Sequence, residues 1–303
     1  MDQFKVLVRC MTYNQSSYIV DAMNGFCMQQ TDFPFLCVII DDASMDGEQD
    51  VIQNYLNEHF EINDSSVVRR DENDDYVRIF VQHKENKNCY FLVIYLKYNH
   101  YQIKKARRPY WKEYERNVEY NAINEGDDYW IDSLKLQKQV DYMDSHPDVS
   151  LCFCAFKRLL PNGEFQDKIR YEKTTPQCPM NDIILCGGGF MATNSMLYRT
   201  AMYIPYTTWT QHSPVGDLPM MLSLAAKGHV AYLSDVMCVY RVAAAGSWTT
   251  RMRDSEKVKV HTVAVNKMWQ DYDSWTCHKY HRQILRKRWR NYTSLLKSLI
   301  GSV

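Results

Sequence analysis

Three places in the chain bring together groups that could do chemistry. Thr12-Tyr13-Asn14, Asp41-Asp42 and Glu125-Gly126-Asp127-Asp128 each follow a largely apolar run and each precede a helix-like pattern. Clustered carboxylates suit a hard divalent cation, since Mg2+ and Mn2+ take oxygen ligands and keep substrate phosphates in their shell. Such a cation would supply the countercharge for phosphate here. No G-x-G-x-x-G follows the first apolar run, and no G-x-x-x-x-G-K-[ST] occurs anywhere, so the dinucleotide fingerprint and the P-loop are both excluded. Each group also has a plainer reading. Asp41-Asp42 could cap a helix and complement its dipole, and residues 125–128 could be an acidic turn.

The elements that must position these groups alternate. Phe4–Cys10 reads as a strand, with Ser16 or Ser17 as the cap of a helix running to about Gln30. Phe35–Ile40 is a continuous apolar run, as expected of a strand buried on both faces, and a helix to Phe60 follows. Residues 61–75 read as a polar loop and Tyr76–Val81 as a third strand. The stretch 83–117 reads as helical with a basic turn over 104–109. A strand at Tyr120–Asn124, a helix over Leu134–Ser145 and a strand at Val149–Phe156 follow, then a hairpin turn at Pro161-Asn162-Gly163. Strand–loop–helix alternation predicts an α/β fold around a mostly parallel sheet. Ligands of such sheets bind beyond the carboxyl ends of the strands, where the three polar groups would converge.

Composition narrows the field. The 303 residues carry 36 basic and 36 acidic side chains, and this neutrality argues against a nucleic-acid partner held by a general basic field. Ten scattered cysteines without C-x-x-C suit a reducing compartment rather than a disulfide framework. Cys277-His278-x-x-His281 lacks a fourth ligand nearby for zinc, and a solvated helix face is the alternative. With no leader-like N-terminus and no apolar run near the ~20 residues of a membrane span, the expectation is a soluble, cytoplasmic protein.

Val6-Leu7-Val8-Arg9-Cys10-Met11-Thr12-Tyr13-Asn14-Gln15 resembles the opening strand and loop of family-2 inverting glycosyltransferases of the GT-A fold, the bacterial polysaccharide-biosynthesis type. Val38–Gly47 is similar to their "IIDDGSTDG" segment, and Glu125-Gly126-Asp127-Asp128-Tyr129-Trp130 to their D-x-D element. The resemblance spans about residues 4–250, with 57–118 diverged. It implies a Rossmann-like GT-A catalytic domain over 1–250 and a C-terminal helical region over 251–303. It also implies transfer of a sugar from a nucleoside-diphosphate donor, expected to be a UDP-sugar, to a glycan hydroxyl.

The resemblance assigns roles residue by residue. Thr12 and Tyr13 fall where the family contacts the nucleobase, and Asp42 where a carboxylate takes the base N–H. Asp127 falls at the ligand of Mn2+ or Mg2+, with Glu125 at the first D-x-D position and Asp128 in support. Asp217 stands at the general base, where its plainer reading is a cap on a helix over Leu218–Lys227. Gly187-Gly188-Gly189 with Thr193 and Ser195 resembles the acceptor side, near which Trp130 would lie. Arg241 could contact the diphosphate or be structural. Ala243 stands where the family often has histidine, while Arg241 and Trp248 remain.

Residues 274–303 hold seven basic side chains and no acid, interleaved with Ile284, Leu285, Trp289, Tyr292, Leu295, Leu296 and Ile300. This pattern fits either a helix on an anionic inner-leaflet surface, which would suit a lipid-linked glycan acceptor, or a helix packed on its own domain. Two rival functions remain at this level. One is a catalytically degenerate nucleotide-sugar-binding homologue, motivated by Ala243 and Glu125. The other is a sugar nucleotidyltransferase, disfavoured because Thr12–Ser17 has neither glycine nor lysine.

Overall fold

A computed structural model describes residues 4–66, 68–203, 208–244, 250, 252 and 254–300. Trp248 lies outside them. Strand β2 (Phe35–Asp41) is buried along its whole length, as its unbroken apolar run requires. It pairs in parallel with β1 (Val6–Thr12) on one side and β5 (Cys89–Leu96) on the other, and β1 pairs in parallel with β6 (Tyr120–Glu125). These four strands form the centre of one mixed sheet. Antiparallel strands β4 (Tyr76–Gln82) and β3 (Arg69–Glu72) finish one edge.

Beyond β6 the sheet continues through the short antiparallel β10 (Leu197–Arg199) to β8 (Val149–Leu159). Strand β11 (His229–Arg241) lies parallel to β8, with β7 (Tyr129–Trp130) outside it, and β9 (Phe165–Lys168) makes a hairpin with β8. Helices α1 (Ile19–Cys27), α2 (Glu48–His59) and α4 (Lys135–Ser145) carry the crossovers of the parallel strands. Short helices α3 (Lys112–Glu115) and α5 (Met180–Cys186), then α6 (Asp217–Ala225), precede a hairpin of α7 (Ser255–Trp275) and α8 (His281–Ile300). The expected α/β architecture with a parallel core flanked by helices is what forms.

Two segments differ from the sequence reading. Residues 89–96, within the stretch that reads as helical, form β5, because eight successive apolar residues fill both faces of a central strand and leave no polar helix face. Residues 69–72 form the edge strand β3 rather than loop. All four are exposed, so no buried alternation marks them. Helix α1 begins at Ile19, so Tyr18 rather than Ser16 or Ser17 holds the cap position. The Ser16 amide donates to Asp46 Oδ2 at 3.0 Å, which ties that turn to the neighbouring loop. Helix α1 then buries Ile19, Ala22, Met23 and Phe26, the spacing of one helix face. It approaches β7 so closely that a Cβ on Gly25 would lie 2.9 Å from the Trp130 amide nitrogen.

The C-terminal hairpin belongs to the same packing. Val265, Met268, Trp269, Tyr272 and Ile284 join one buried cluster with Phe153, Phe190 and Leu222 of the body. The turn between α7 and α8 is closed by Asp273, whose Oδ2 lies 3.1 Å from His278 Nδ1 and 2.6 Å from His281 Nδ1. That contact gives the C-H-x-x-H segment a buried carboxylate partner. Among the described residues no helix is long and apolar enough to cross a membrane.

Phe91 tests β5 as a core strand. It is fully buried, with its ring 4.4 Å from that of Phe60 and 6.3 Å from that of Phe26. Phe91→Ala is expected to cost about 3–5 kcal/mol, read as a lower urea midpoint with an unchanged slope.

Candidate functional site

The parallel register delivers the three polar groups to one edge of the sheet. Thr12 pairs with Asp41 and Met11 with Glu125, so strands β2, β1 and β6 all end at the same level. The loops beyond β1 and β2 are joined through one buried side chain. Glu48, the first residue of α2, accepts from Thr12 Oγ1, from the Gln15 amide at 2.9 Å and from Ser44 Oγ at 2.8 Å. Asn14 completes the join, its amide donating to Ser44 Oγ at 2.8 Å and its Oδ1 accepting from the Met45 amide at 2.9 Å. Thr12 is therefore buried and committed to this network, whereas Tyr13 stands exposed beside it.

Asp42 is almost completely buried. Its Oδ1 accepts the His100 amide at 2.7 Å, and its Oδ2 accepts the Tyr101 amide at 3.1 Å and Arg107 Nη1 at 2.8 Å. Arg107 was not singled out in the sequence. It lies 65 residues from Asp42 in a stretch whose basic character reads as an ordinary surface turn, so only folding reveals the pair. Neighbouring Asp41 accepts from Gln49 and the Ser44 amide, and burial raises its carboxyl above the usual range.

The third group is the most constrained. Carboxylate oxygens of Glu125, Asp127 and Asp128 all lie within 4.8 Å of one another. Glu125 is exposed, while Asp127 and Asp128 are buried. A Cβ on Gly126 would fall 2.3 Å from Thr12 Oγ1 and 2.4 Å from Gln15 Oε1, so only glycine lets this turn lie against the β1 loop. Asn124 Nδ2 holds the turn from inside, donating to the carbonyls of Glu125 at 2.7 Å and Asp128 at 2.9 Å. Burial pushes the carboxyls of Asp127 and Asp128 up, and for Asp128 the adjacent charges push in the same direction. Asp128 Oδ1 accepts the Arg241 amide at 2.8 Å, but its Oδ2 is buried without a hydrogen-bond partner. A cluster of oxygen donors with an unsatisfied buried carboxylate oxygen fits a hard divalent cation.

Arg241 organises this turn. Its Nη1 donates to the Asp127 carbonyl at 2.6 Å, its Nη2 reaches Asp21, and its guanidinium lies 4.6 Å from the Tyr129 ring centre and 5.0 Å from that of Tyr18. The following Ala243 adopts a left-handed backbone with φ 58°.

Asp217 sits on the other side of the molecule's sheet order. It is the first residue of α6 rather than the cap before it, and its Oδ1 accepts the Leu218 amide at 2.7 Å. Burial raises its carboxyl, opposed first by the hydrogen bond from the Leu218 amide and less by the charge of His261 of α7, 44 residues away in sequence. With Gly188, Met191, Met196, Leu218 and Met221, Asp217 lines a small cleft. Gly188 and Gly189 are exposed, and a Cβ on either would meet nothing within 4 Å.

The remaining acceptor-side residues are less accessible. Thr193 is half-buried, whereas Ser195 is fully buried and donates to the Ala192 carbonyl at 2.6 Å. Trp130 is a core residue. Its Nε1 donates to the Asn194 carbonyl at 2.9 Å, and its ring packs on Phe26 and beneath Lys135 Nζ, which leaves no face for a sugar.

No family model matches the chain. It is 30% identical over 249 residues to the uncharacterized proteins Rv1520 of Mycobacterium tuberculosis and Mb1547 of Mycobacterium bovis. Those alignments cover 81% of this chain and 61% of the relatives, so the chain spans about three fifths of their length. Among solved structures, Staphylococcus aureus TarS 1-349 in complex with UDP-GlcNAc is similar with a TM-score of 0.61 at 18% identity. That match covers 96% of this chain and 73% of TarS 1-349. The mannosyltransferase PcManGT from Pyrobaculum calidifontis, in complex with GDP-Man and Mn2+, gives a TM-score of 0.51 at 11% identity. It covers 99% of this chain and 79% of that one. At these identities the likeness establishes the fold, which is that of GT-A glycosyltransferases.

The raised carboxyl of Asp128 has a consequence for stability. The folded protein favours its protonated form, so its contribution turns unfavourable as pH climbs from the unfolded value of 3.8 through the raised folded one. Asp128→Asn can still accept the Arg241 amide and escapes that penalty. In metal-free buffer it is expected to raise the urea midpoint at pH 7, with the gain vanishing below about pH 4.

Proposed function

We propose that the protein is an inverting glycosyltransferase that moves a sugar from a nucleoside diphosphate, a UDP-sugar in the first instance, to a glycan hydroxyl. The observation that carries this reading is the acidic turn at residues 125–128, with Asp127 and Asp128 buried, held at the carboxyl edge of the sheet beside the joined β1 and β2 loops. The fold it sits in is shared with transferases solved with UDP-GlcNAc, or with GDP-Man and Mn2+. Asp127, with Glu125 and Asp128, would hold Mn2+ or Mg2+. When bound, such an ion neutralises charge on the diphosphate leaving group.

The chain's own residues supply the rest. Asp42, already fixed by Arg107 and two amides, retains about one lone-pair site for a nucleobase N–H, and exposed Tyr13 offers a ring for stacking. Arg241 keeps the acidic turn in place through the Asp127 carbonyl and Asp21, which engage two of its five N–H donors. Asp217 takes the proton from the acceptor hydroxyl as that oxygen attacks the anomeric carbon. Its raised carboxyl makes it a better base than an ordinary exposed aspartate. The open backbone of Gly188 beside it leaves room for the acceptor.

Turnover of UDP- and GDP-sugars with and without Mn2+ tests the reading. Asp127→Asn is expected to lower metal-dependent turnover by at least about 100-fold, and Asp217→Asn to lower kcat for transfer by roughly 100- to 10,000-fold with donor KM little changed. The acid limb of the transfer profile is expected above the ordinary carboxylate range and to disappear in Asp217→Asn. Nucleotide binding without turnover across the panel would favour a degenerate binding homologue in which Ala243 and Glu125 mark lost catalysis.

A further inference from the structure

Helix α8 has two dissimilar faces. One packs on the body: Ile284 is buried, and Lys287 Nζ donates to the carbonyls of Leu185 and Cys186 at 3.2 and 3.3 Å, capping the end of α5. Burial lowers the pKa of that lysine, as expected of a cation enclosed by protein. The other face is turned to solvent. Leu285, Trp289, Tyr292 and Leu296 are 47%, 71%, 40% and 56% exposed, and their spacing of four, three and four residues puts them on a single stripe. Arg282, Arg286, Arg290 and Lys297 are also exposed and lie together along one side of the stripe, roughly 60–140° around the axis from Leu285. Half-buried Arg288 borders the other side, and no acidic residue occurs from 274 to 303.

We propose that this outer face of α8 docks on an anionic phospholipid surface. Charge complementarity selects the occupant. The stripe offers an indole, a phenol and two leucines of the kind that settle at the boundary of headgroups and acyl chains. The flanking cations meet the negative potential of an acidic leaflet while their stems lie along the apolar side. Membrane attachment of useful strength takes two such signals acting together, and α8 has both. Because Lys287 and Ile284 fix the opposite face, the stripe is presented on a rigid support and does not have to fold on contact. Docking is independent of the transfer reaction. Only its consequence, that the acceptor glycan is presented on a lipid in the same leaflet, rests on the function proposed above.

Co-sedimentation of the full chain with vesicles of phosphatidylcholine, alone or mixed with phosphatidylglycerol, tests this. Binding is expected to the anionic vesicles, to weaken with added salt, and to be absent on phosphatidylcholine alone. Arg282→Gln and Arg286→Gln are each expected to lower the partition coefficient on the order of fivefold. Trp289→Ser with Leu285→Ser is expected to abolish binding while urea midpoint and donor turnover in solution stay at the parent values. Failure to bind anionic vesicles, equal binding to neutral ones, or unchanged binding by the Trp289→Ser, Leu285→Ser variant would overturn the proposal. So would a concentration-dependent dimer of the parent, seen by light scattering and removed by the same variant without any vesicle binding, since that would assign the stripe to a second copy of the chain. Loss of donor turnover with vesicle binding intact would count against the transferase reading alone.

Discussion

Three carboxylates held within 4.8 Å of one another, two of them nearly out of water, repel each other in a place where solvent screens little. The segment Glu125–Asp128 is unfavourable for the bare chain, and much of the surrounding structure serves to keep it in place. Gly126 removes the side chain that would push the turn off the β1 loop. Asn124 ties the turn's carbonyls from the core side, and Arg241 ties it from β11 with its amide, its guanidinium and two aromatic neighbours. None of these contacts neutralises the carboxylates fully, because Asp128 Oδ2 is left without a donor. A site that relieved its own repulsion completely would have little left to offer a cation.

The same logic explains the join between the two neighbouring loops. Glu48 is a buried carboxylate whose two oxygens accept from Thr12, Gln15 and Ser44, so the ends of β1 and β2 move as one body. Gln15 and Thr12 are also the atoms that a Cβ at Gly126 would strike. The β1 loop therefore touches both acidic groups, and rigidity passes along the sheet edge from Asp41 to Asp128 through side chains rather than backbone alone.

How much of this could be read from the chain depends on sequence distance. Strands β1, β2 and β6 and the convergence of their ends are legible, because β2 is a continuous apolar run and each polar group follows its strand directly. Strand β5 is not legible, since an eight-residue apolar run can be taken for a buried helix even with Asn86, Asn88 and Asn99 on its flanks. The side chains that organise the site were harder still. Glu48 looks like the ordinary first-turn acid of α2, Arg107 like a surface cation, and His261 like a polar residue in a long helix. Each acquires meaning only from a partner 36 to 65 residues away. Trp130 lies against the Asn194 carbonyl, beside the segment that the resemblance assigns to the acceptor, but strand alternation turns its ring into the core while Tyr129 lies against Arg241.

The two carboxylate centres belong to different parts of the sheet. The acidic turn ends the parallel block β5-β2-β1-β6, whereas Asp217 begins a helix packed on β8 and β11. Between them lies β10, three residues long, pairing Leu197 with Ala122 on one side and with Cys152 on the other. So short a strand supplies few ladder bonds, and side chains reinforce the seam. Gln139 Nε2 donates to the Ser195 carbonyl, Asn194 Nδ2 to the Val239 carbonyl, and Arg199 Nη2 to the Met143 carbonyl. The glycine- and polar-rich segment 187–195 that precedes β10 is therefore part of the seam between the two halves of the sheet. Its buried Asn194 and Ser195 are tied to β11 and α4, and its exposed Gly188 lines the cleft beside Asp217. The C-terminal hairpin braces the same region, because Lys287 caps α5 directly before Gly187 and Trp269 packs in the cluster that holds α6. Zero net charge conceals this division of labour: an acidic body carries the site, and the basic helix behind it supports the far half while facing outward with its cations.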